Sequence, residues 1–114
     1  MPPDAGRGGR GDPGPVFLAL ADPTRRELFT DVVAGGPVTA TQLAADRHIS
    51  RQAVAKHLDV LGRAGLVEGR RAGREVRYRA ETAALDDAIS WMQDAGAAWD
   101  VRLARLAELT RTSD

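Results

Sequence analysis

A segment near the middle of the chain carries side chains that can bond to the bases and phosphates of DNA. Gln52 can bond to an adenine edge through two hydrogen bonds, and Arg51 or Lys56 can reach a guanine edge or a phosphate. Ser50 precedes them at a position that suits a phosphate contact beside free backbone N–H groups. This combination indicates recognition of double-stranded DNA, provided that the fold presents these groups on one surface.

The formal net charge of zero hides an uneven distribution of charge along the chain. The sequence has 16 basic and 16 acidic side chains among 114 residues. Residues 50–79 hold eight basic and three acidic side chains, whereas residues 1–49 and 80–114 have net charges of −1 and −4. A basic segment between a nearly neutral one and an acidic one indicates binding to a polyanion. Judged on charge alone, a charged face that is only solvated is an equally good explanation.

The sequence around these side chains predicts two short helices joined by a tight turn. Thr39 followed by Gln42 has the capping-box pattern of a helix start. Ser50 caps a second helix, which Gly65 ends. Helices arranged in this way form a helix-turn-helix. The buried side of the second helix is predicted to consist of Val54, Leu58 and Leu61.

Residues 66–79 change to an alternating pattern, which predicts a β-hairpin. Ala72 and Gly73 suit a two-residue turn. Opposite charges across the strands favour the register that this turn sets. The predicted pairs are Val67 with Tyr78, Glu68 with Arg77, and Arg70 with Glu75. This register leaves Arg71 and Arg74 at the tip of the hairpin without a partner within it.

The remaining segments predict one domain with a tail. Residues 1–15 are rich in Gly and Pro and are predicted to be disordered, with Arg7 and Arg10 as a less favoured minor-groove arm. Residues 16–110 are expected to form a domain that is mainly α, with a hairpin wing and a long last helix. Asp22 and Pro23 mark the start of a helix that precedes the helix-turn-helix.

The last predicted helix, from about Thr82 to Thr110, has apolar residues at alternating steps of four and three. This period is typical of a helix that packs along another helix. Because one small domain cannot cover so wide an apolar surface, we expect a homodimer. The predicted interface consists of Phe17 on the first helix together with Leu85, Ile89, Met92, Trp99, Leu103 and Leu106.

The stretch from Ala19 to Arg79 resembles the ArsR-type winged helix-turn-helix repressors. The resemblance is carried by LADPTRR at 20–26, ISRQAVAKHL at 49–58, LGRAGLV at 61–67 and RRAGREVRYR at 70–79. It implies a dimeric bacterial repressor, usually autoregulatory, that dimerises through its first and last helices. Metal-sensing members of the family have Cys ligands near the helix-turn-helix, or His and carboxylate ligands on the last helix. Since this chain has no Cys, and no His on its last helix, it resembles the metal-independent branch.

These observations together predict a DNA-binding transcriptional repressor that works as a homodimer in the bacterial cytoplasm, on an inverted-repeat operator and without a cofactor. No catalytic or metal-binding residue is expected, because the chain lacks Cys, both His lie on the helix-turn-helix and no phosphate-binding glycine motif is present. No membrane contact is expected either. The predicted DNA-binding residues are Thr39, Thr41, Ser50, Arg51, Gln52, Ala55, Lys56, Arg71, Arg74 and Arg77.

Two other functions fit the same sequence. One is a regulator that responds to a small molecule held in an apolar pocket at the dimer interface, which would differ in its ligand but not in its DNA binding. The other is a winged helix used only for protein–protein contacts. In that case the protein would show no salt-sensitive DNA binding, and changes at Gln52 or Lys56 would be silent.

Overall fold

The computed structural model describes residues 12–45 and 47–112, with side chains described as far as residue 109. Five helices occur in this part of the chain: α1 (Gly14–Ala19), α2 (Pro23–Gly35), α3 (Ala40–Ala44), α4 (Arg51–Arg63) and α5 (Ala83–Thr112). The strands β1 (Val38–Thr39), β2 (Val67–Ala72) and β3 (Glu75–Ala80) form an antiparallel sheet in the order β1-β3-β2. The predicted fold, a winged helix-turn-helix with a long last helix, is confirmed.

Aliphatic side chains from α1 to α5 form one hydrophobic core. The predicted stripe of α4, consisting of Val54, Leu58 and Leu61, is fully buried, with 0% of each residue exposed. It belongs to the same cluster as Leu28 and Val32 of α2. Because this side of α4 is buried, its polar side must point to solvent.

Side-chain caps set the start of α2 and join it to α1. Asp22 accepts the N–H of Arg25 at 3.1 Å, and this bond is the main cause that lowers the pKa of the Asp22 carboxyl. Arg25 Nε donates to the carbonyl of Ala19, and Arg26 Nη1 donates to that of Leu20, both at 2.7 Å. The two guanidinium groups thus satisfy carbonyls that the end of α1 leaves without helical partners.

The register of the hairpin differs from the prediction by two residues. The observed pairs include Val67 with Ala80, Glu68 with Arg79, Gly69 with Tyr78, Arg70 with Arg77, and Ala72 with Glu75. The turn therefore consists of Gly73 and Arg74. Gly73 has a φ of +66°, and no described residue other than glycine has a positive φ. The first position of such a turn needs a positive φ, which Gly73 adopts without steric cost. The predicted register placed Ala72 at that position, where its Cβ atom would be strained.

The sheet also contains a strand that the sequence pattern did not predict. β1 pairs Val38 with Tyr78 and Thr39 with Arg77. Two residues are too few to show alternation, so the pattern gave no signal of this strand. The ring of Tyr78 lies over Gly69, where a Cβ atom would come within 2.9 Å of Tyr78 Cε1. Glycine at this position therefore makes room for the tyrosine.

The boundaries of the predicted domain change at both ends. α1 begins at Gly14, so Gly14 and Pro15 are helical and do not belong to a disordered tail. The rest of the predicted tail up to residue 11, including Arg7 and Arg10, lies outside the described residues. α5 continues to Thr112. Within the described residues, no helix is long and apolar enough to cross a membrane.

The predicted capping box at Thr39 is confirmed, and its contribution to stability can be measured. Thr39 Oγ1 accepts the N–H of Gln42 at 3.1 Å, and Gln42 Oε1 accepts the N–H of Thr39 at 2.8 Å. We expect Thr39→Ala to lower the free energy of unfolding by about 1 kcal/mol in urea denaturation, because a helix N–H is left without its acceptor. Thr41→Ala, at an exposed position of the same helix, is the control and should change stability by less than about 0.5 kcal/mol. Equal decreases in the two variants would contradict the role of the cap.

Candidate nucleic-acid interface

The exposed side of α4 presents the polar side chains that the sequence singled out. Ser50 Oγ accepts the N–H of Ala53 at 3.0 Å and so begins the helix. Arg51, Gln52 and Lys56 in its first turns are exposed. Since the opposite side of α4 is held in the core, these three side chains have a fixed direction relative to the domain.

A cleft of about 460 Å³ lies between the start of α3, the side of α4 and the wing. Five of the predicted DNA-binding residues line it: Thr39, Thr41, Arg51, Ala55 and Arg74. Ser50, Gln52, Lys56, Arg71 and Arg77 do not line it. The cleft joins the helix-turn-helix and the wing in one concave surface.

Thr39 differs from the other predicted residues in this cleft. It is only 9% exposed, and its hydroxyl accepts the N–H of Gln42 as the cap of α3. Thr41, two residues later, is exposed and keeps its hydroxyl at the surface. The structure therefore gives Thr39 a positioning role at the start of α3.

Sequence reasoning missed several residues that line the cleft: Ala40, Gln42, Glu75, Val76 and Tyr78. Gln42 was recognised only as part of the capping box. Tyr78 was expected on the core side, and it does pack against the core, but its predicted partner Val67 was wrong. The first position of the turn needs a glycine, and this requirement could have corrected the register. With Gly73 at that position, Tyr78 pairs with Gly69.

Ion pairs occupy only some of the basic side chains between residues 50 and 79. Three of the eight have carboxylate partners: Arg63 with Asp59 at 2.7 Å, Arg70 with Glu68 at 2.6 Å, and Arg79 with Glu81 at 3.9 Å. The hydrogen bond from Arg70 lowers the pKa of the Glu68 carboxyl and raises the pKa of Arg70. Within the described part of the chain, the other five make no ion pair: Arg51, Lys56, Arg71, Arg74 and Arg77.

The unpaired state of Arg77 corrects one expectation. The predicted register placed Arg77 opposite Glu68, whereas the observed partner across the strands is Arg70. The wing therefore carries three arginines without a carboxylate partner among the described residues, instead of the two expected at its tip. All five unpaired cations belong to the predicted DNA-binding set, and they lie on α4 and the wing.

The seam of α5 remains open to solvent. The predicted interface residues Ile89, Met92, Trp99, Leu103 and Leu106 are each exposed, and Trp99 is 59% exposed. Leu85, nearer the start of the helix, packs against the core. Phe17 of α1 contacts Trp91 edge to face, with ring centres 5.7 Å apart. The first and last helices therefore share an aromatic contact, beyond which α5 presents uncovered apolar side chains.

The described residues contain no group of three or more His, Cys, Asp or Glu side chains that could hold a metal ion. The full sequence has no Cys. This chain therefore has no thiolate to offer as a ligand.

Comparison with known proteins identifies relatives of this arrangement. A helix-turn-helix domain family matches residues 20–70. The transcriptional repressor SdpR of Bacillus subtilis is 38% identical over 77 residues, which cover 68% of this chain and 84% of that protein. The solved structure of an ArsR-like transcriptional regulator from Rhodococcus sp. RHA1 has a TM-score of 0.76 and 42% identity, covering 85% of this chain and 91% of that one. The cadmium metal-sensor CMTR of Mycobacterium tuberculosis is also similar, with a TM-score of 0.52 and 35% identity, covering 62% and 73% of the two chains.

The paired and unpaired arginines give a direct test of this surface. We expect Arg71→Ala and Arg74→Ala each to make the dependence of DNA affinity on salt shallower, by about 0.9 in log–log slope for each phosphate that the variant no longer neutralises. Fluorescence anisotropy with a labelled duplex at several salt concentrations measures this slope. Arg63→Ala, which removes an arginine paired with Asp59, is the control and should leave the slope nearly unchanged. If all three variants bind like the wild type, the wing does not contact DNA.

Proposed function

Because this chain belongs to the ArsR family of winged helix-turn-helix transcriptional regulators, which bind DNA and are not enzymes, we propose that it is a homodimeric repressor of an inverted-repeat operator. We place it in the bacterial cytoplasm and propose that it works without sensing a metal. The observation that carries the proposal is the position of the five unpaired cations on α4 and the wing.

In this proposal α4 enters the major groove with its N-terminal residues. Gln52 reads an adenine edge, and Arg51 and Lys56 reach a guanine edge or a phosphate. Ser50, at the start of α4, and Thr41, on α3, contact phosphates of the DNA backbone. Thr39 contributes by fixing α3 through its cap. Since α4 is fully buried on its other side, it enters the groove in one orientation.

The wing completes the contact beside the major groove. Arg74 lies in the turn, and Arg71 lies opposite Val76, a residue that lines the cleft. Guanidinium groups placed in this way suit a narrow minor groove or the flanking backbone. Contacts of this kind position the protein on the duplex, whereas the contacts of α4 to bases select the sequence.

The proposed dimer would place two copies of α4 in successive major grooves, about 34–36 Å apart. Support for it comes from the uncovered apolar seam of α5, with Trp99, Leu103 and Leu106 all more than half exposed. A row of apolar side chains at this spacing is stabilised when a second helix covers it. A dimer with two-fold symmetry implies an operator with the same symmetry.

The metal-independent part of the proposal rests on ligand chemistry. A chain without Cys cannot offer the thiolates that select soft metals. The last helix has acidic side chains but no His, and a site built from carboxylates alone would bind transition metals weakly and without selectivity. We therefore propose that metal ions do not change the affinity of the protein for its operator.

Footprinting on the DNA upstream of the protein's own gene tests the proposed function. We expect protection of two half-sites whose centres lie about 10–10.5 base pairs apart, or a multiple of that spacing, and which are related by inverted symmetry. Protection of this kind supports DNA binding, symmetry and autoregulation together. A winged helix used only for protein contacts would leave this DNA unprotected at every protein concentration.

The proposed dimer interface can be tested without removing α5, part of which belongs to the core. Leu103→Glu places a charge on the exposed seam, and we expect it to convert the dimer to a monomer by light scattering, because a buried charge without a partner is costly. Gln93→Glu adds the same charge at an exposed position of α5 outside the predicted seam. This control should remain dimeric. A Leu103→Glu variant with the mass of a dimer would contradict the proposed interface.

A further inference from the structure

Two arginines of the segment LADPTRR at 20–26 join α1 to α2, and the proposed DNA contacts do not use them. Their guanidinium groups donate hydrogen bonds to four successive carbonyls at the end of α1: those of Leu18, Ala19, Leu20 and Ala21. The end of a helix leaves carbonyls without helical partners, and its partial negative charge attracts cations. Arg25 and Arg26 therefore hold the end of α1 against the start of α2.

Arg25 makes the more extensive of these two connections. Its side chain is only 19% exposed. Nε donates to the carbonyl of Ala19 at 2.7 Å, and Nη2 donates to that of Leu18 at 3.2 Å. Nη1 lies 3.8 Å from Oδ2 of Asp22, the carboxylate that caps α2. One planar guanidinium thus joins two carbonyls of α1 to the start of α2, a geometry that the ammonium of a lysine cannot reproduce.

The same side chain lies beside α4. Arg25 lines a cleft of about 330 Å³ together with residues of α1 and with Val60 and Arg63 of α4. α1 also packs against α5, where Phe17 contacts Trp91. α1 therefore lies between the helix that is proposed to read DNA and the helix that is proposed to hold the dimer together.

The angle of α1 depends on its contacts, because the helix has only six residues. A helix of this length is not stable by itself in water. Val16 and Ala19 are buried in the core, but apolar burial has no preferred direction. Hydrogen bonds weaken steeply when their angle changes. The bonds from Arg25 and Arg26 are thus the contacts that fix the direction of α1 relative to α2.

We propose that Arg25 is a positioning residue that sets the separation of the two α4 helices in the dimer, and with it the half-site spacing that the protein accepts. This inference rests on the proposed function. α1 carries Phe17 of the predicted interface, so a change in its angle moves the two domains relative to each other. One base pair more or less between the half-sites rotates one relative to the other by about 35°, so binding depends on this separation.

Affinity for duplexes of different spacing tests the role of Arg25. Fluorescence anisotropy compares the footprinted duplex with versions that gain or lose one base pair between the half-sites. To bind these versions, the wild type must break the hydrogen bonds of Arg25, whereas Arg25→Met has the aliphatic stem without the donors. We expect the preference of this variant for the native spacing to fall by about fivefold or more. Loss of stability alone would lower the affinity for every duplex by the same factor.

Arg47→Met is the matched control. The side chain of Arg47 is 20% exposed, donates to the carbonyl of Leu43 at 2.8 Å and pairs with Asp31, so it joins α3 to α2. This variant should keep the wild-type preference for spacing. An Arg25→Met variant with the wild-type preference would overturn the inference and leave the proposed function intact. If Arg25→Met does not fold, Arg25→Lys provides the test, because it keeps the charge without the planar fork and should lower the preference in the same direction.

A distance measurement without DNA tests the same role. The chain has no Cys, so Asp59→Cys provides a single site for a spin label on the exposed side of α4. Double electron–electron resonance then measures the distance between the two labels of a dimer. We expect a narrow distribution in the labelled wild type and in Arg47→Met, and a broader or shifted one in Arg25→Met. An unchanged distribution would contradict the positioning role. A labelled wild type without a dipolar signal would be a monomer, and the proposed homodimer would fail together with this inference.

Discussion

The burial of one side of α4 is the constraint on which the rest of the surface depends. Val54, Leu58 and Leu61 are wholly buried in one cluster with α2, which fixes the rotation of α4 about its own axis. Arg51, Gln52 and Lys56 must then point outward. Leu66, just before β2, and Val67, its first residue, are buried in the same core, so the wing is held at a fixed position beside α4 and the cleft between them has a defined shape.

Ion pairing then decides which cations on this surface are available. The sum of the charges is zero, and even the excess of positive charge in residues 50–79 does not identify the residues that contact a partner. Internal carboxylates hold Arg63, Arg70 and Arg79.

Local signals predicted most of the fold and much of the candidate site. The caps at Asp22, Thr39 and Ser50 depend on residues within a few positions of one another, and each was visible in the sequence. The hairpin register was wrong because attraction between opposite charges was given more weight than backbone conformation. The energy of exposed charge pairs is small, whereas the positive φ at Gly73 is a strict requirement of the turn. A shift of two residues leaves each side chain on the same face of the sheet, but it changes the partners of Arg70, Arg77 and Tyr78 across the strands, so those partners could not be predicted without the turn.

The most direct test of the account is to map the surface that DNA contacts, residue by residue. Titration of ¹⁵N-labelled protein with its footprinted duplex, followed by NMR of the backbone amides and the arginine Nε–H groups, measures this surface. The account predicts that the largest chemical-shift changes fall in residues 50–56 and 70–78, including Arg51, Arg74 and Arg77, and that residues 99–109 of α5 change little. Changes concentrated on α5, or absent from α4 and the wing, would contradict it.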